Sequence, residues 1–462
     1  MPTVEGVKAR GPLLIATLIA VPTVLWAVSA PLDTRFFDLP STLTSIAVIL
    51  GLAGVVSYAF NIILGARVKP VSAWLGGLDN MYALHRGNGR AAFLLLLGHG
   101  LVMIAARAAL SFDQVKTLLS PSTGWATPLG VIALLLVTVA IGLTLYAHLG
   151  HEMFVYVQRS LGLIFLVASF HVFLTPGAKA TSAPLTIYLG AIVALAVLAF
   201  AYRSLFGDVL VRRREFRVAN VRQLDPQVEE ITMIPVDRRL DFLPGQFVFV
   251  TFYSGDFSAQ FHPFSVTPEG ESAIISLRPG DIRNQFHPFS ITSGAGEREL
   301  RVAVKAVGDY TTAMRRLDRN AVARVEGPYG SFSYLKVSRP QQIWIAGGIG
   351  ITPFLSMARS LGGDRFEVDL YYGAKSLESA YFLDELLLIS EKNDRLRIIP
   401  FPEDKLGVLT ADYVDGTTKD LANKDILICG PPVMIDALTS QFVEKGVPRT
   451  NIHFEKFGFG QS

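Results

Sequence analysis

The chain has 462 residues, half of them apolar, with 18% charged residues and a formal net charge of +3. Ordinary soluble domains carry about 25% charge, so this composition excludes disorder and a coiled-coil rod; roughly 150 residues per domain gives two to four domains. One cysteine excludes a disulfide framework and a multi-cysteine metal site.

The charge deficit is local. Residues 1–205 hold 12 Lys/Arg and 6 Asp/Glu, about 9%, whereas the remaining 257 positions hold 30 basic and 33 acidic residues, about 25%. The net charge is therefore a sum of +6 and −3, and it gives no reason to invoke nucleic acid. Six apolar runs of spanning length occupy the first part, at 11–30, 41–65, 83–106, 126–147, 154–175 and 183–205. Lys8 and Arg10 precede the first run as they would a signal peptide, but five further spans follow and no clear small-residue cleavage site does. Lys8, Arg10, Arg67, Lys69, Arg86, Arg90, Arg203 and Arg212–Arg214 fall at alternate ends of the spans, and the opposite loops hold only Arg35, Arg107, Lys116 and Lys179. The positive-inside rule then predicts an integral, multi-pass membrane protein with both termini cytoplasmic. Its third and fifth spans both run from inside to outside.

Ionisable groups inside a span are costly and point to function. The third span carries His85 near its inner end and His99 beyond its middle. Fourteen residues at 1.5 Å rise place them about 21 Å apart on nearly one face, which suits two haems stacked one above the other. Each histidine taken alone also fits a hydrogen-bonded interfacial side chain. The pattern His85-Arg86-x-x-Gly89…His99 resembles the third helix of the ferric reductase and NADPH oxidase membrane domain. The resemblance implies a matching histidine pair in the fifth span. There the sequence reads Gln158-Arg159-Ser160-Leu161-Gly162…His171. His99 and His171 then clamp an outer haem, and an inner haem has His85 on one side and Gln158 on the other, so the haem b content is one or two. His148 and His151 lie nearby, but His151 is about 10 Å along an ideal helix from Gln158, too far to replace it.

Residues 216–335 alternate short apolar strands with Pro/Gly turns, for example Phe216–Val221, Glu230–Val236, Phe247–Phe252 and Leu300–Ala306, and predict a small antiparallel β-barrel. His-Pro-Phe-Ser occurs twice, at His262–Ser265 and His287–Ser290. Each copy is followed by an alternating strand (Ala273–Arg278; Leu300–Lys305) and then Gly-Asp, so the spacing reads as a local duplication that inserted a hairpin. The motif resembles that of ferredoxin-reductase-like flavoproteins. That resemblance implies FAD, with Phe289 on the isoalloxazine ring and the Ser290 hydroxyl toward N5. It also implies a role for the segment Gly308-Asp309-Tyr310-Thr311, where Gly308 and Thr311 open a helix toward the pyrophosphate. Only the second copy runs directly into that segment, which favours His287, Pro288, Phe289 and Ser290. The first copy stands at the more usual distance from Pro244–Phe247 and stays open as the alternative.

Residues 337–462 alternate strand and helix. The strand Gln342–Ala346 runs into Gly347-Gly348-Ile349-Gly350-Ile351-Thr352-Pro353 and then a helix at Phe354–Ser360. Gly348, Gly350, Thr352 and Pro353 form a loop through which backbone N–H groups approach a pyrophosphate. The strand Val368–Tyr372 leads to Lys375 and Ser376, which suit an adenosine 2′-phosphate and favour NADPH over NADH. A further strand, Asp425–Ile428, leads into Cys429-Gly430-Pro431-Pro432. The family resemblance places Cys429, Gly430 and Pro431 beside the nicotinamide, although a free buried Cys is more often a small hydrophobe. It also makes Phe457 or Phe459 a C-terminal ring that covers the flavin.

The expected architecture is a six-helix transmembrane bundle (1–205), then an FAD-binding antiparallel β-barrel (210–335), then an α/β parallel-sheet NAD(P)-binding domain (336–462). The resemblance implies an NAD(P)H-dependent oxidoreductase of ferric reductase or NADPH oxidase type. Its cytoplasmic reductase module would pass electrons through FAD and haem to an extracytoplasmic acceptor, either a ferric chelate or dioxygen. Ferric-chelate reduction is the leading expectation. Superoxide production by an NADPH oxidase is the alternative, as is a membrane redox-sensing subunit serving a docked protein. A transporter fits less well, since the spans hold few charges and no paired broken helices.

Overall fold

The computed structural model describes residues 4–121, 124–147, 151–175, 182–253, 265–269, 272–276, 286–306, 311, 314, 317, 319 and 321–456. The chain forms two compact units, Met1–Val211 and Arg212–Ser462.

The first unit contains six helices long and apolar enough to cross a membrane. They are α1 (Val4–Ala27), α2 (Leu39–Gly65), α3 (Leu78–Ala108), α4 (Ala126–Tyr146), α5 (His151–Leu174) and α6 (Ala183–Phe200). Starts are set locally. The Asp38 carboxylate caps α2 by accepting from the Ser41 N–H, and the Ser182 hydroxyl caps α6 by accepting from the Leu185 N–H. A core of Val55, Val56, Ala59, Ala133, Val137, Phe165, Leu185 and Leu189 joins the helices. Outward-facing Leu94, Leu135, Leu163 and Leu198 are exposed, as side chains in contact with lipid are.

Close approach of the helices is bought with glycine. A Cβ at Gly54 would meet Leu96 at 2.8 Å, one at Gly89 would meet Asn61 Nδ2 at 2.9 Å, and one at Gly162 would meet the Phe200 ring at 2.1 Å. The glycines of the two Arg-x-x-Gly segments therefore serve helix packing.

The second unit holds two principal sheets. The first six-stranded sheet comprises β1 (Arg214–Asp225), β2 (Val228–Pro235), β3 (Phe247–Tyr253), β6 (His287–Ser290), β7 (Leu300–Lys305) and β8 (Val322–Tyr329), in the order β6-β3-β8-β1-β2-β7. Its pairings are antiparallel, and a bridge from Ile291 to Val302 brings its two edges together, curling the sheet around Phe216, Val218, Ile231, Val248, Val250, Val302 and Val325. A separate hairpin pairs β4 (Ser265–Glu269) with β5 (Ser272–Ser276). The second His-Pro-Phe-Ser copy is thus a strand of the curled sheet, while Ser265 of the first opens the extra hairpin. His262 to Phe264 lie outside the described residues.

The second sheet is parallel, in the order β11-β10-β9-β12-β13. Its strands are β9 (Gln341–Gly347), β10 (Glu367–Ala374), β11 (Leu396–Pro402), β12 (Asp425–Gly430) and β13 (Ile452–Lys456). Helices α7 (Ile351–Ser360), α8 (Leu383–Glu391) and α9 (Pro432–Glu444) connect them. Both faces are covered, so the strand sequences are almost continuously apolar rather than alternating. Helix α7 starts at Ile351, three residues before the predicted start, because Gly350 ends the loop in a helical conformation.

Arg359 of α7 fastens the two sheets. Its guanidinium donates to the Thr292 carbonyl at 2.7 Å and to both Glu385 oxygens at 2.7 and 2.9 Å, and it stands 3.6 Å from the Glu230 carboxylate. Ser356 Oγ donates to the Ser293 carbonyl, the Ala295 N–H donates to Ser360 Oγ, and the Tyr381 hydroxyl donates to Asp225. Burial, then the Asp225 hydrogen bond and charge, push the Tyr381 hydroxyl up to about 12.

Candidate functional site

The membrane unit brings the His99 and His171 rings together. Their ring centroids lie 6.2 Å apart at an interplanar angle of 60°. His99 Nδ1 is 2.7 Å from the Ala47 carbonyl on α2, and His171 Nδ1 is 2.7 Å from the Ala126 carbonyl at the start of α4. A carbonyl only accepts, so each Nδ1 carries the proton and each Nε2 keeps its lone pair. A metal midway between two such rings, at about 2.0 Å from each Nε2, implies centroids about 6.3 Å apart. The spacing therefore fits a metal held between the two imidazoles, as a haem iron would be, and the backbone carbonyls would then be the outer-shell anchors that orient the rings.

Both rings occupy space left by glycine. A Cβ at Gly51 would stand 2.8 Å from His99 Nδ1, and one at Gly130 would stand 2.7 Å from His171 Nδ1. Each receptor is thus a carbonyl at position i and a glycine at i+4, one turn later on the same face. His85 has the same arrangement, with Nδ1 3.1 Å from the Asn61 carbonyl and its ring 3.7 Å from where a Gly65 Cβ would be. Sequence reading missed these glycines. The signal was present, because Gly51 and Gly65 repeat the fourteen-residue spacing of His85 and His99. Among the described residues Gln158 makes no comparable contact with a carbonyl; its amide donates to Thr144 Oγ1 at 3.4 Å.

In the curled sheet, His287, Pro288 and Phe289 are half-buried on β6, opposite Val250, Phe249 and Val248 of β3. Ser290 is 5% exposed, and its Oγ is buried without a hydrogen-bond partner among the described residues. An orphaned hydroxyl at a strand end is costly, and it leaves a donor and an acceptor for a bound group. Thr311 is half-buried; Gly308 lies outside the described residues, as do Phe457 and Phe459.

In the parallel sheet, strand order reverses direction between β9 and β12, the position at which open α/β sheets bind ligands. The loop after β9 lies against the end of β12. A Cβ at Gly350 would meet the Cys429 carbonyl at 2.3 Å, and one at Gly430 would meet Gly347 Cα at 3.2 Å. Gly348 adopts φ +54°, a left-handed conformation that leaves the loop's N–H groups at the head of α7. Thr352 Oγ1 closes the loop by donating to the Ile349 carbonyl, and Pro353 is buried behind it. Cys429 is fully buried within β12 rather than at an accessible strand end. Pro431 precedes α9 as its N-cap. Lys375 is exposed and Ser376 half-buried just beyond β10, where Ser376 begins a short helical turn.

A family profile for the ferric reductase like transmembrane component matches residues 50–169, and one for the oxidoreductase NAD-binding domain matches residues 344–440. The reductase component of propane 2-monooxygenase from Rhodococcus jostii is 30% identical over 149 residues, covering 28% of this chain and 39% of that protein. The carnitine monooxygenase reductase subunit of Escherichia coli is 28% identical over 247 residues, 53% of this chain and 68% of that protein. The chain spans about two fifths of the length of the propane monooxygenase reductases it matches. Among solved structures, flavohemoglobin from Malassezia yamatoensis aligns at 19% identity with a TM-score of 0.47, covering 90% of this chain and 97% of that one. The chain thus joins a region that matches a ferric reductase like transmembrane component, within six helices long and apolar enough to cross a membrane, to a region that matches an oxidoreductase NAD-binding domain.

Proposed function

We propose that this protein carries electrons from cytoplasmic NAD(P)H across the membrane to an acceptor on the outer face, with ferric chelates as the acceptor class. The observation that carries the reading is the His99–His171 pair, spaced at 6.2 Å with both Nδ1 atoms anchored on carbonyls. When bound, FAD supplies the conversion of a two-electron hydride into single electrons, and haem supplies their relay through lipid.

The protein's own residues position these groups. His99 and His171 hold the outer haem in the neutral tautomer. Ser290 points its unpaired hydroxyl at the flavin N5 region, and Phe289 lies against the ring system. Gly348, Gly350 and the head of α7 hold the dinucleotide pyrophosphate through backbone N–H groups. Lys375 and Ser376 receive the 2′-phosphate, which makes NADPH the preferred donor. Gly430 and Pro431 line the place of the nicotinamide with Cys429 buried behind them, and Phe457 or Phe459 would cover the flavin when the nucleotide is absent. Gly308 and Thr311 complete the flavin phosphate site. The basic cluster Arg212–Arg214 at the boundary of the two units supports a cytoplasmic reductase.

The test uses the purified full-length protein in detergent. Anaerobic NADPH is expected to bleach the flavin band and reduce a haem Soret band, and a ferric chelate is expected to reoxidise both. A protein without haem, or one whose haem NADPH leaves oxidised, refutes the proposal. Reoxidation by dioxygen with superoxide release, and none by ferric chelates, would transfer the assignment to an oxidase.

A further inference from the structure

Resting on that reading, we propose that the inner position of the membrane unit holds a haem ligated on one side only, by His85. Its other axial face is closed to a second histidine by Thr144 and Gln158 and is left open to a neutral diatomic ligand.

The inference comes from the repeat in the helix receptors. On α2, Ala47 and Gly51 receive His99; fourteen residues later, Asn61 and Gly65 receive His85. On α4, Ala126 and Gly130 receive His171; fourteen residues later stand Ala140 and Thr144. This fourth receptor is altered at each of its parts. Thr144 takes the place of the glycine, so a side chain fills the space the other three leave open. Its hydroxyl donates to the Ala140 carbonyl at 2.8 Å, the carbonyl that would otherwise anchor an imidazole. Gln158 takes the place of the histidine and donates to the same Thr144 hydroxyl at 3.4 Å. A threonine bonding back one turn is common in helices by itself. Here it stands against Gln158, which lies thirteen residues before His171, and the two substitutions are hydrogen-bonded to each other.

The opposite receptor is intact. His85 keeps its carbonyl, its glycine and a buried surrounding in which Asn88 Nδ2 donates to the Ser57 carbonyl at 2.8 Å and approaches Asn61 Oδ1 at 3.5 Å. Gly89 makes room for that Asn61 side chain. One axial ligand is therefore built and oriented, and the other is replaced by an amide. An amide has no imidazole-like lone pair for iron, and the one N–H that Gln158 does not give to Thr144 remains as a donor to steady a polar diatomic ligand.

The experiment is run on full-length protein purified with haem. Haem per chain, the ferric spin state by electron paramagnetic resonance and carbon monoxide binding after dithionite reduction are measured together. The expected result is two haems per chain, about half of the haem high-spin and binding carbon monoxide. His85→Ala removes that half and leaves the low-spin half. Gln158→His alone leaves carbon monoxide binding in place, because Thr144 still blocks the ring; Gln158→His with Thr144→Gly converts the site to low-spin and abolishes it. One haem per chain, or haem that is wholly low-spin and inert to carbon monoxide, overturns the inference while leaving the outer pair standing. Conversion by Gln158→His alone overturns it too. Loss of the low-spin signal in His99→Ala supports the outer pair, so failure of that pair is read separately from failure at His85.

Discussion

Replacing a helical glycine by alanine ordinarily stabilises a helix by about 1 kcal/mol. At Gly130 the receptor geometry reverses the sign. The new Cβ would stand 2.7 Å from His171 Nδ1 and 2.8 Å from Cε1. Ordinary contact begins near 3.4 Å, so the ring must retreat by about 0.7 Å, while a metal–imidazole bond of about 2.0 Å offers no such slack. The retreat also stretches the 2.7 Å hydrogen bond to Ala126 that fixes the tautomer. Disturbing an outer-shell anchor of this kind costs about 10–100-fold in metal affinity, which is about 1.4–2.8 kcal/mol and exceeds the helix gain. Gly51→Ala meets His99 Nδ1 at 2.8 Å and should behave alike, whereas at Gly65 the nearest ring atom is 3.7 Å away and alanine fits. The expected order of haem retained per chain after dilution and gel filtration is therefore wild type and Gly65→Ala high, Gly51→Ala and Gly130→Ala low. Equal retention by all three variants, or loss confined to Gly65→Ala, would show that the glycines do not shape the ligand sites.

Three further outcomes are expected. Arg359→Met leaves the buried Thr292 carbonyl without its donor and removes the more distant of the two guanidinium groups beside Glu230, which keeps Arg222 at 3.0 Å and the Thr292 hydroxyl at 3.2 Å, costing about 2 kcal/mol and lowering the reductase melting temperature by about 4–8 °C; a shift below 2 °C in a flavin-fluorescence melt counts against the clasp. Asp425 is also informative. Burial raises it, but hydrogen bonds from His453 and from the backbone N–H of Arg339, together with the His453 charge, outweigh that and hold it below the ordinary carboxylate value. Its stabilisation is thus present above about pH 4 and lost as pH falls through the depressed value, so Asp425→Asn should lower the melting temperature at pH 7 and narrow the gap to wild type near pH 3; a gap independent of pH would contradict this. Ser290→Ala should keep FAD bound but slow its reduction by NADPH about tenfold in stopped-flow traces, the worth of one hydrogen bond; an unchanged rate removes Ser290 from the flavin edge.

The six spans were legible because lipid imposes a length and a hydropathy that no other pressure mimics, and each observed helix overlaps its predicted run. The Gly-rich loop was legible because glycine at a strand–helix junction has one main use. His85, His99 and His171 stood out because so few polar groups share their surroundings. What escaped sequence reading was reciprocal. Gly51, Gly65 and Gly130 look like ordinary helix-packing glycines until the ring each one faces is known, and Thr144 looks like an ordinary membrane threonine. Arg359, Glu230 and Thr292 come from three segments whose adjacency only the folded sheets reveal. The duplicated His-Pro-Phe-Ser was ambiguous for a different reason. Strand pairing decides which copy enters the sheet, and pairing is a non-local property.

The clasp around Arg359 bears on how the reductase can move. Four bridging contacts, through Arg359, Ser356, Ser360 and Tyr381, tie the curled sheet to the parallel sheet. A hinge opening there would have to hydrate a guanidinium and a carboxylate that are each 6% exposed. Under the proposed function, a nicotinamide nucleotide would then have to enter and leave without the two sheets parting.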